Sequence, residues 1–565
     1  MTQEQQRHDG NDGGHGDGLL ARARAWLAED PDPATRAELS ALLEAGDTAA
    51  LAERFSGTLR FGTAGLRGEM GAGPMRMNRA VVIRAAAGLA SYLRDHARTP
   101  GLVVIGYDAR HRSADFARDT AAVITGAGGG MRAALLPRPL PTPVLAFAIR
   151  HLGAVAGVAV TASHNPPRDN GYKVYLGDGS QIVPPADRDI AAAIDAVGPL
   201  SSVPRPDTGW EVLGDEVLAA YLERSAAALT PGSPRTARVV YTPLHGVGGR
   251  VLAEAFTRAG FPAPAEVAQQ AEPDPDFPTV AFPNPEEPGA MDMAFAAARA
   301  LDPPPDLVIA NDPDADRCAL GVPDPAAEGG WRMLRGDETG ALLAAHLLDK
   351  GVTGTFAASI VSSSLVGEMA RAAGRPYQET LTGFKWLGRV PGLAYGYEEA
   401  LGYCVDPGGV RDKDGITAAL LAAELVSVLA AEGRTLLSLL DDLAVRHGVH
   451  ATDQLSLRVT DLALIEEAMR GLRADPPAEL GGRAVIRAED LREGAGGLPP
   501  TDGLRYVMEG ARVLVRPSGT EPKLKCYLEA VVPVSGRDAL PAARREAAAL
   551  LAALRADLAG RLPTP

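Results

Sequence analysis

Cysteine is scarce in this chain: Cys318, Cys404 and Cys526 are the three present. They lie far apart and form no Cys-x-x-Cys pair, which argues against a disulfide framework or a thiolate zinc site and fits a reducing cytoplasm. Positive charge is also in deficit. Against 56 Lys and Arg stand 71 Asp and Glu, a net charge of −15, so no nucleic-acid or membrane partner is expected and any anion site must be local. Long uninterrupted apolar runs are missing too. The most apolar segment, residues 416–431, is broken by Thr417, Glu424 and Ser427 and stops at Gly433, the pattern of a buried helix rather than a membrane span. Residues 1–18 are polar, rich in Gly and Asp, and have no apolar centre, which reads as a disordered tail and not a secretory signal. Two fingerprints are absent as well. No Gly-x-Ser-x-Gly elbow surrounds Ser163, and Gly246, Gly248 and Gly249 lack dinucleotide-site spacing, so residues 242–249 read as a tight strand-to-helix turn.

What is present is an alternation of strand and helix. With 565 residues there is room for roughly four domains. Apolar runs at 102–107, 155–160, 239–241, 307–310 and 355–361 read as short buried strands, and residues 79–96 and 115–125 as helices. This is the pattern of parallel α/β sheets. Residues 19–55 read as two short helices separated by Pro31 and Pro33, residues 201–209 as a Pro/Ser-rich linker, and residues 272–288 as irregular. The expected division is a tail at 1–18, then domains at 19–205, 206–325, 326–450 and 451–565, the last a smaller α+β unit.

Five motifs carry chemistry. Thr-Ala-Ser-His-Asn-Pro-Pro at 161–167 follows a strand, and its Asn and prolines bend the chain, holding Ser163 on a sharp loop where α/β sheets place reactive groups. Adjacent residues of an extended chain face opposite ways, so His164 does not complete a triad with it; ordinary loop formation is the rival reading. Gly62, Gly65, Gly68 and Gly71 recur every third residue around Arg67, a close-approach segment facing an anion or else a plain glycine turn. Asp312, Asp314 and Asp316 alternate after a strand, oxygen ligands for a hard cation unless they form a solvated turn. A calcium hand is excluded because its sixth and twelfth positions are Arg317 and Pro323. Glu398 and Glu399 among tyrosines suit sugar hydroxyls and apolar sugar faces, or a core turn with exposed acids. Arg516, Ser518, Gly519 and Thr520 form a candidate phosphate cradle or a surface turn.

In this order the motifs resemble those of the α-D-phosphohexomutase superfamily, over nearly all the chain after its first fifty or so residues. The resemblance implies an α/β fold of four domains around a central cleft, three with a similar mixed sheet topology and a smaller α+β C-terminal domain that closes over substrate from a Gly- and Pro-rich joint. It implies Ser163 as carrier of the phosphate; Arg67, Lys173, His164 and Lys413 as catalytic residues, Lys413 as general acid or base; and Mg²⁺ held by Ser163, Asp312, Asp314 and Asp316. Arg317, Lys385, Glu398, Arg516, Ser518, Gly519 and Thr520 would bind substrate. The activity implied is interconversion of hexose 1-phosphate and 6-phosphate through a bisphosphate, which also serves as activator, in a cytoplasmic monomer or small homo-oligomer. Ala400 stands where many hexose-specific members have serine, and this form resembles the subgroup containing phosphopentomutases. Pentose phosphates are therefore the alternative substrates, and a non-catalytic phosphosugar-binding protein is the alternative of another class.

Overall fold

The computed structural model of the protein describes residues 12–60, 65–96, 101–459, 462–518 and 523–562. Four sheets follow one another along the chain. The first contains β1 (Leu66–Glu69), β2 (Leu102–Tyr107), β3 (Arg132–Leu135), β4 (Ala156–Val160), β5 (Asp169–Leu176) and β6 (Glu211–Val212), in the order β1-β5-β4-β2-β3-β6. The second contains β7 (Val239–Thr242), β8 (Ala265–Glu266), β9 (Leu307–Ala310), β10 (Ala319–Pro323) and β11 (Trp331–Met333), ordered β11-β10-β9-β7-β8. The third contains β12 (Thr355–Ser359), β13 (Tyr377–Thr380), β14 (Leu393–Glu398) and β15 (Gly402–Cys404), ordered β13-β12-β14-β15. Central strands such as β4, β7 and β9 are buried at every position, because helices cover both faces of a parallel sheet and leave no face for polar alternation.

These three sheets share one plan. A first strand lies parallel to the second and third, and the third turns back into an antiparallel fourth. The pairs are β2 with β3, β4 and then β5; β7 with β8, β9 and then β10; and β12 with β13, β14 and then β15. The turn between third and fourth strands is thus an equivalent position in each domain. It carries Ser163 in the first, the aspartate triplet in the second and Glu399 in the third, with Glu398 closing β14.

The fourth domain is an antiparallel sheet of β16 (Val449–Arg458), β17 (Glu479–Leu480), β18 (Arg483–Asp490), β19 (Leu504–Met508), β20 (Ala511–Pro517) and β21 (Lys523–Val532), ordered β16-β21-β20-β19-β18-β17. It has its own core, in which Leu550, Leu554 and Leu558 of the helix Leu540–Ala559 meet Val513, Val515 and Leu528. Among the described residues no single helix is long and apolar enough to cross a membrane.

Several boundaries differ from the sequence reading. Helix begins at Asp12, inside the stretch expected to be disordered, because Leu19 and Ala23 further along the same helix are anchored against Leu39, Leu51 and Phe55. Among the described residues three helices and not two precede β1: Gly46 (φ 63) ends Pro33–Ala45, and Asp47 caps Thr48–Phe55. Strand β6 lies beyond the 201–209 stretch yet pairs with β3, so the first sheet extends past residue 205. Likewise β11 pairs with β10 and belongs to the second sheet, beyond residue 325. The joint before the last domain is a single glycine, Gly448 at φ 92 between the helix Leu436–His447 and β16, without proline.

Candidate active site

Ser163 sits in left-handed backbone conformation (φ 51) and is buried. Its amide donates to Thr161 Oγ1 at 2.9 Å, and its carbonyl accepts from Arg110 at 2.6 Å. Arg110 also donates to the carbonyls of Asn165 (2.6 Å), Pro166 (2.8 Å) and Asp169 (3.2 Å), so one guanidinium satisfies the turn of the whole serine loop. It is held in turn by Asp108 at 3.4 Å and by the ring of Phe277, 4.9 Å beneath it. The Ser163 hydroxyl donates to Asp312 Oδ2 at 2.6 Å and lies 3.2 Å from His164 Nδ1. The expectation that Ser163 and His164 face opposite ways holds for extended chain; the left-handed turn puts both on one side. Burial first, then the charges of Arg317, Arg67 and Lys413, hold the His164 imidazole well below its ordinary pKa, so it is neutral.

The aspartate loop curls because Asn311 Nδ2 donates across it to the Arg317 carbonyl at 2.5 Å and Ala315 takes φ 54. Its neighbours press close. A Cβ on Gly246 would meet Pro313 Cα at 2.3 Å, and one on Gly415 would meet the Arg317 carbonyl oxygen at 2.3 Å, so glycine is required at both positions. All three aspartates are fully buried, each with a carboxylate oxygen within 4.8 Å of the others. Lys173 Nζ lies 2.7 Å from Asp314 and 3.0 Å from Asp316, and Lys413 Nζ 2.9 Å from Asp316. Thr142 donates to Asp314 at 2.8 Å.

The charges are strongly perturbed. Burial, with Asp314 and Asp316 alongside, pushes the Asp312 carboxyl up to about 8. Burial also acts on Asp314, but Lys173 and Lys413 outweigh it and hold that carboxyl well below the usual range. Lys173 shows the reciprocal effect: burial opposes its charge, and Asp314 and Asp316 raise its pKa above the ordinary value. These residues suit a divalent cation. Asp314 Oδ1 and Asp316 Oδ1 are buried and meet no hydrogen-bond donor among the described residues, and an oxygen-only set is what Mg²⁺ requires.

Arg67 lies on β1 opposite Gly171 and donates to Asn165 Oδ1 at 2.9 Å. Burial, with Arg110 and Arg317 nearby and Asp314 opposing, lowers its pKa. Arg317 leaves the aspartate loop toward Glu286 (3.3 Å) and Asp312 (4.0 Å), and its backbone bridges to Gly402. The Leu401 carbonyl accepts from the Cys318 amide at 3.1 Å, so the second and third loops are joined by backbone hydrogen bonds. Glu398 is buried; burial raises its pKa against the pull of Lys413 and Arg317. Glu399 is tied to Ser359 (3.2 Å) and Ser362 (3.1 Å).

The structure therefore gathers Ser163, His164, Arg67, Lys173, Lys413, the aspartate triplet, Arg317 and Glu398 into one network. Lys385 stands apart from it, 5.8 Å over the Trp386 ring, its pKa lowered by burial against the pull of Asp187. Arg516 and Ser518 lie at the end of β20 and just past it; Gly519 and Thr520, with residues 61–64 of the glycine segment, lie outside the described residues. Two members of the site were missed from sequence. Arg110 binds backbone carbonyls more than fifty positions away, which leaves no local signal. Glu286 sits in a proline-rich stretch read as irregular, and only the fold brings it to Arg317.

A buried serine hydrogen-bonded to a carboxylate triplet, with lysines and an arginine around it and all drawn from sibling α/β domains, is an arrangement suited to phosphoryl transfer. The four domain descriptions of phosphoglucomutase/phosphomannomutase match in sequence order, domain I at residues 58–199, domain II at 219–325, domain III at 335–446 and the C-terminal domain at 455–546. A probable phosphomannomutase from Haemophilus influenzae is 49% identical over 464 residues, covering 81% of this chain and 93% of that protein. A probable phosphoribomutase from Schizosaccharomyces pombe is 36% identical, covering 89% and 92%, and a Staphylococcus epidermidis phosphoglucomutase 35%, covering 84% and 91%. Among solved structures, a Thermus thermophilus putative phosphomannomutase superposes with a TM-score of 0.67 at 26% identity, covering 87% of this chain and 98% of that one. The chain belongs to the phosphoglucomutase/phosphomannomutase family, within the α-D-phosphohexomutase superfamily, and is a mutase.

Proposed function

We propose that the protein interconverts sugar 1-phosphates with their terminal phosphates through a phosphorylated Ser163 and a sugar bisphosphate, with glucose and mannose phosphates as substrates. The observation that carries this reading is the Ser163 hydroxyl, 2.6 Å from Asp312 of a buried aspartate triplet. In the forward half-reaction the bond from phosphorus to Ser163 Oγ breaks as a bond to a sugar hydroxyl oxygen forms, and the hydroxyl proton passes to a base. The second half reverses this with the other phosphate of the bisphosphate. Lys413 is the candidate acid and base, and His164, kept neutral, is a second acceptor beside Oγ. Arg67 and Lys173 offset charge on the transferring group, and the Asp312, Asp314, Asp316 site would hold Mg²⁺, which supplies further neutralisation. Glu398 accepts from sugar hydroxyls, and the 516–520 cradle binds the phosphate not being transferred.

Pentose phosphates are the second reading, favoured by Ala400, which offers no hydroxyl to a sugar, and by relatives named phosphoribomutase and phosphopentomutase. The test is intact-mass detection of covalent phosphate, followed by kinetics on glucose, mannose, ribose and deoxyribose 1-phosphates with the bisphosphate supplied. A neutral hydrogen bond is worth about 1 kcal/mol, so Ala400→Ser should shift kcat/KM toward hexose by roughly tenfold at most. A wild-type preference for pentose would overturn the hexose assignment alone.

A further inference from the structure

The sugar loop and the phosphate-cradle domain meet across residues 359–364, a short connection leaving the end of β12. On one side Glu399 accepts from the Ser359 and Ser362 hydroxyls, and the Glu399 amide donates to Ser362 Oγ at 3.0 Å. The Ser359 and Ser362 hydroxyls are themselves 2.8 Å apart. On the other side the connection is gripped by the fourth domain. Arg512 donates to the Ser362 carbonyl at 2.6 Å. Glu529 accepts from the Ser363 hydroxyl (2.8 Å), the Ser364 amide (2.7 Å) and the Ser364 hydroxyl (3.0 Å). Ile360 and Val361 pack in one apolar cluster with Leu514 and Tyr527 of the fourth domain. Arg512 and Leu514 belong to β20, the strand that delivers Arg516 to the cradle. The Tyr527 hydroxyl hydrogen-bonds Arg516 and feels the charge of Glu399.

A rigid-body movement of the fourth domain must therefore drag Ser362, and Ser362 is bonded to the residue next to Glu398. We propose that residues 359–364 form a mechanical link through which the placement of the C-terminal domain sets the position of Glu398, with Ser362 and Glu399 as positioning residues. Binding of a phosphate at the cradle and grip on the sugar ring then become one coupled event. The proposal takes from the mutase reading only the role of Glu398 toward sugar; the link itself stands on contacts between two domains.

Hydrogen exchange of the amides at 398–402 tests the link without requiring turnover. Arg512→Gln, in the fourth domain, should speed their exchange several-fold, and so should Ser362→Ala. The double variant should exchange no faster than Ser362→Ala alone, because the link is already cut, whereas Ser362→Thr, which keeps the hydroxyl, should restore wild-type protection. Glu529→Gln loosens the same grip from a different strand and should act as Arg512→Gln does, which covers a failure of the latter to fold. In kinetics with glucose 1-phosphate or ribose 1-phosphate, whichever the enzyme turns over, Ser362→Ala should raise KM about fivefold and leave kcat within about twofold, as expected for loss of a uniform sugar contact. Wild-type exchange at 398–402 in both Arg512→Gln and Glu529→Gln, or additive effects in the double variant, would overturn the link. Absence of turnover on every sugar phosphate would overturn the mutase reading and leave the exchange result standing.

Discussion

Among the described residues Ser163 has two groups within reach of its hydroxyl, Asp312 and His164, and its loop is shaped by Arg110, which donates to backbone carbonyls on it. If Oγ is the atom that carries phosphate, Ser163→Ala removes turnover by at least about 10³-fold and removes the added phosphate mass, while the loop, held by Arg110, keeps its shape and the melting temperature stays near wild type. Turnover that survives in this variant would end the phosphoserine mechanism. A second residue makes a prediction about pH. Burial, then the charges of Glu398 and Asp337, push the Glu399 carboxyl up to about 7. The unfolded chain releases this proton near its ordinary pKa while the folded chain keeps it, so the folded state becomes progressively less favoured as pH rises from about 4.5 to 7, and the penalty is constant above that. Glu399→Gln preserves an acceptor for Ser359 and Ser362 without the charge. Thermal unfolding should show the variant gaining on wild type between pH 5 and pH 7.5, by up to about 3 kcal/mol; a stability difference independent of pH would refute the assignment.

The element that repeats is the hairpin between third and fourth strands, and its three copies explain how much of the site was legible. The first two copies were visible as motifs because a short apolar run ending in residues that cannot continue a strand marks both the strand and its loop, whereas the third showed only paired glutamates among tyrosines and β14 before them was not read as a strand. That the copies are equivalent was not readable from the residues themselves. Their lengths and chemistry differ, and β15 spans only Gly402–Cys404, too short to display alternation. The side chains that organise the loops from outside, Arg110, Glu286 and Ser362, left no signal because their partners are distant in sequence or are backbone atoms. The middle hairpin carries its own prediction. Asp314 balances Lys173 within the buried network, so Asp314→Asn both removes a candidate metal ligand and leaves a buried ammonium less compensated. Magnesium affinity measured by calorimetry should fall more than about tenfold, and stability should fall by about 3–5 kcal/mol. In the unaltered protein, chelation should stop turnover and added Mg²⁺ restore it; full activity after exhaustive chelation would contradict a metal role for the triplet.

At the scale of the whole molecule, three domains are tied to one another through the network around the aspartates and through further contacts such as Tyr175 and Gln181 on Asp412 and Ser233 on Glu424. The fourth domain has a separate core and reaches the third through the apolar cluster at residues 360–361 and a polar network in which Glu529 is central. Burial opposes the charge of Glu529, yet Arg512, His450 and Ser363 outweigh it and lower its carboxyl to about 2. A depressed carboxylate contributes stability that is complete above its unfolded pKa, near 4.5, and is lost as pH falls toward the folded value. That shift corresponds to about 3 kcal/mol at neutral pH, a large share of the marginal stability of any one domain. Glu529→Gln should therefore destabilise the joint between third and fourth domains at pH 7, and the gap from wild type should close as pH falls from about 4.5 to 2. Amide exchange in β21 and at residues 363–364, followed across that range, reads the joint directly. Because β4 and β9 belong to the first and second domains, whereas Glu529 grips Ser363 and Ser364 of the third, exchange in β4 and β9 should be unchanged by the substitution; if those strands loosen equally, the four domains unfold as one unit and the C-terminal domain is not the separately docked body that its own core and its single-glycine connection at Gly448 describe.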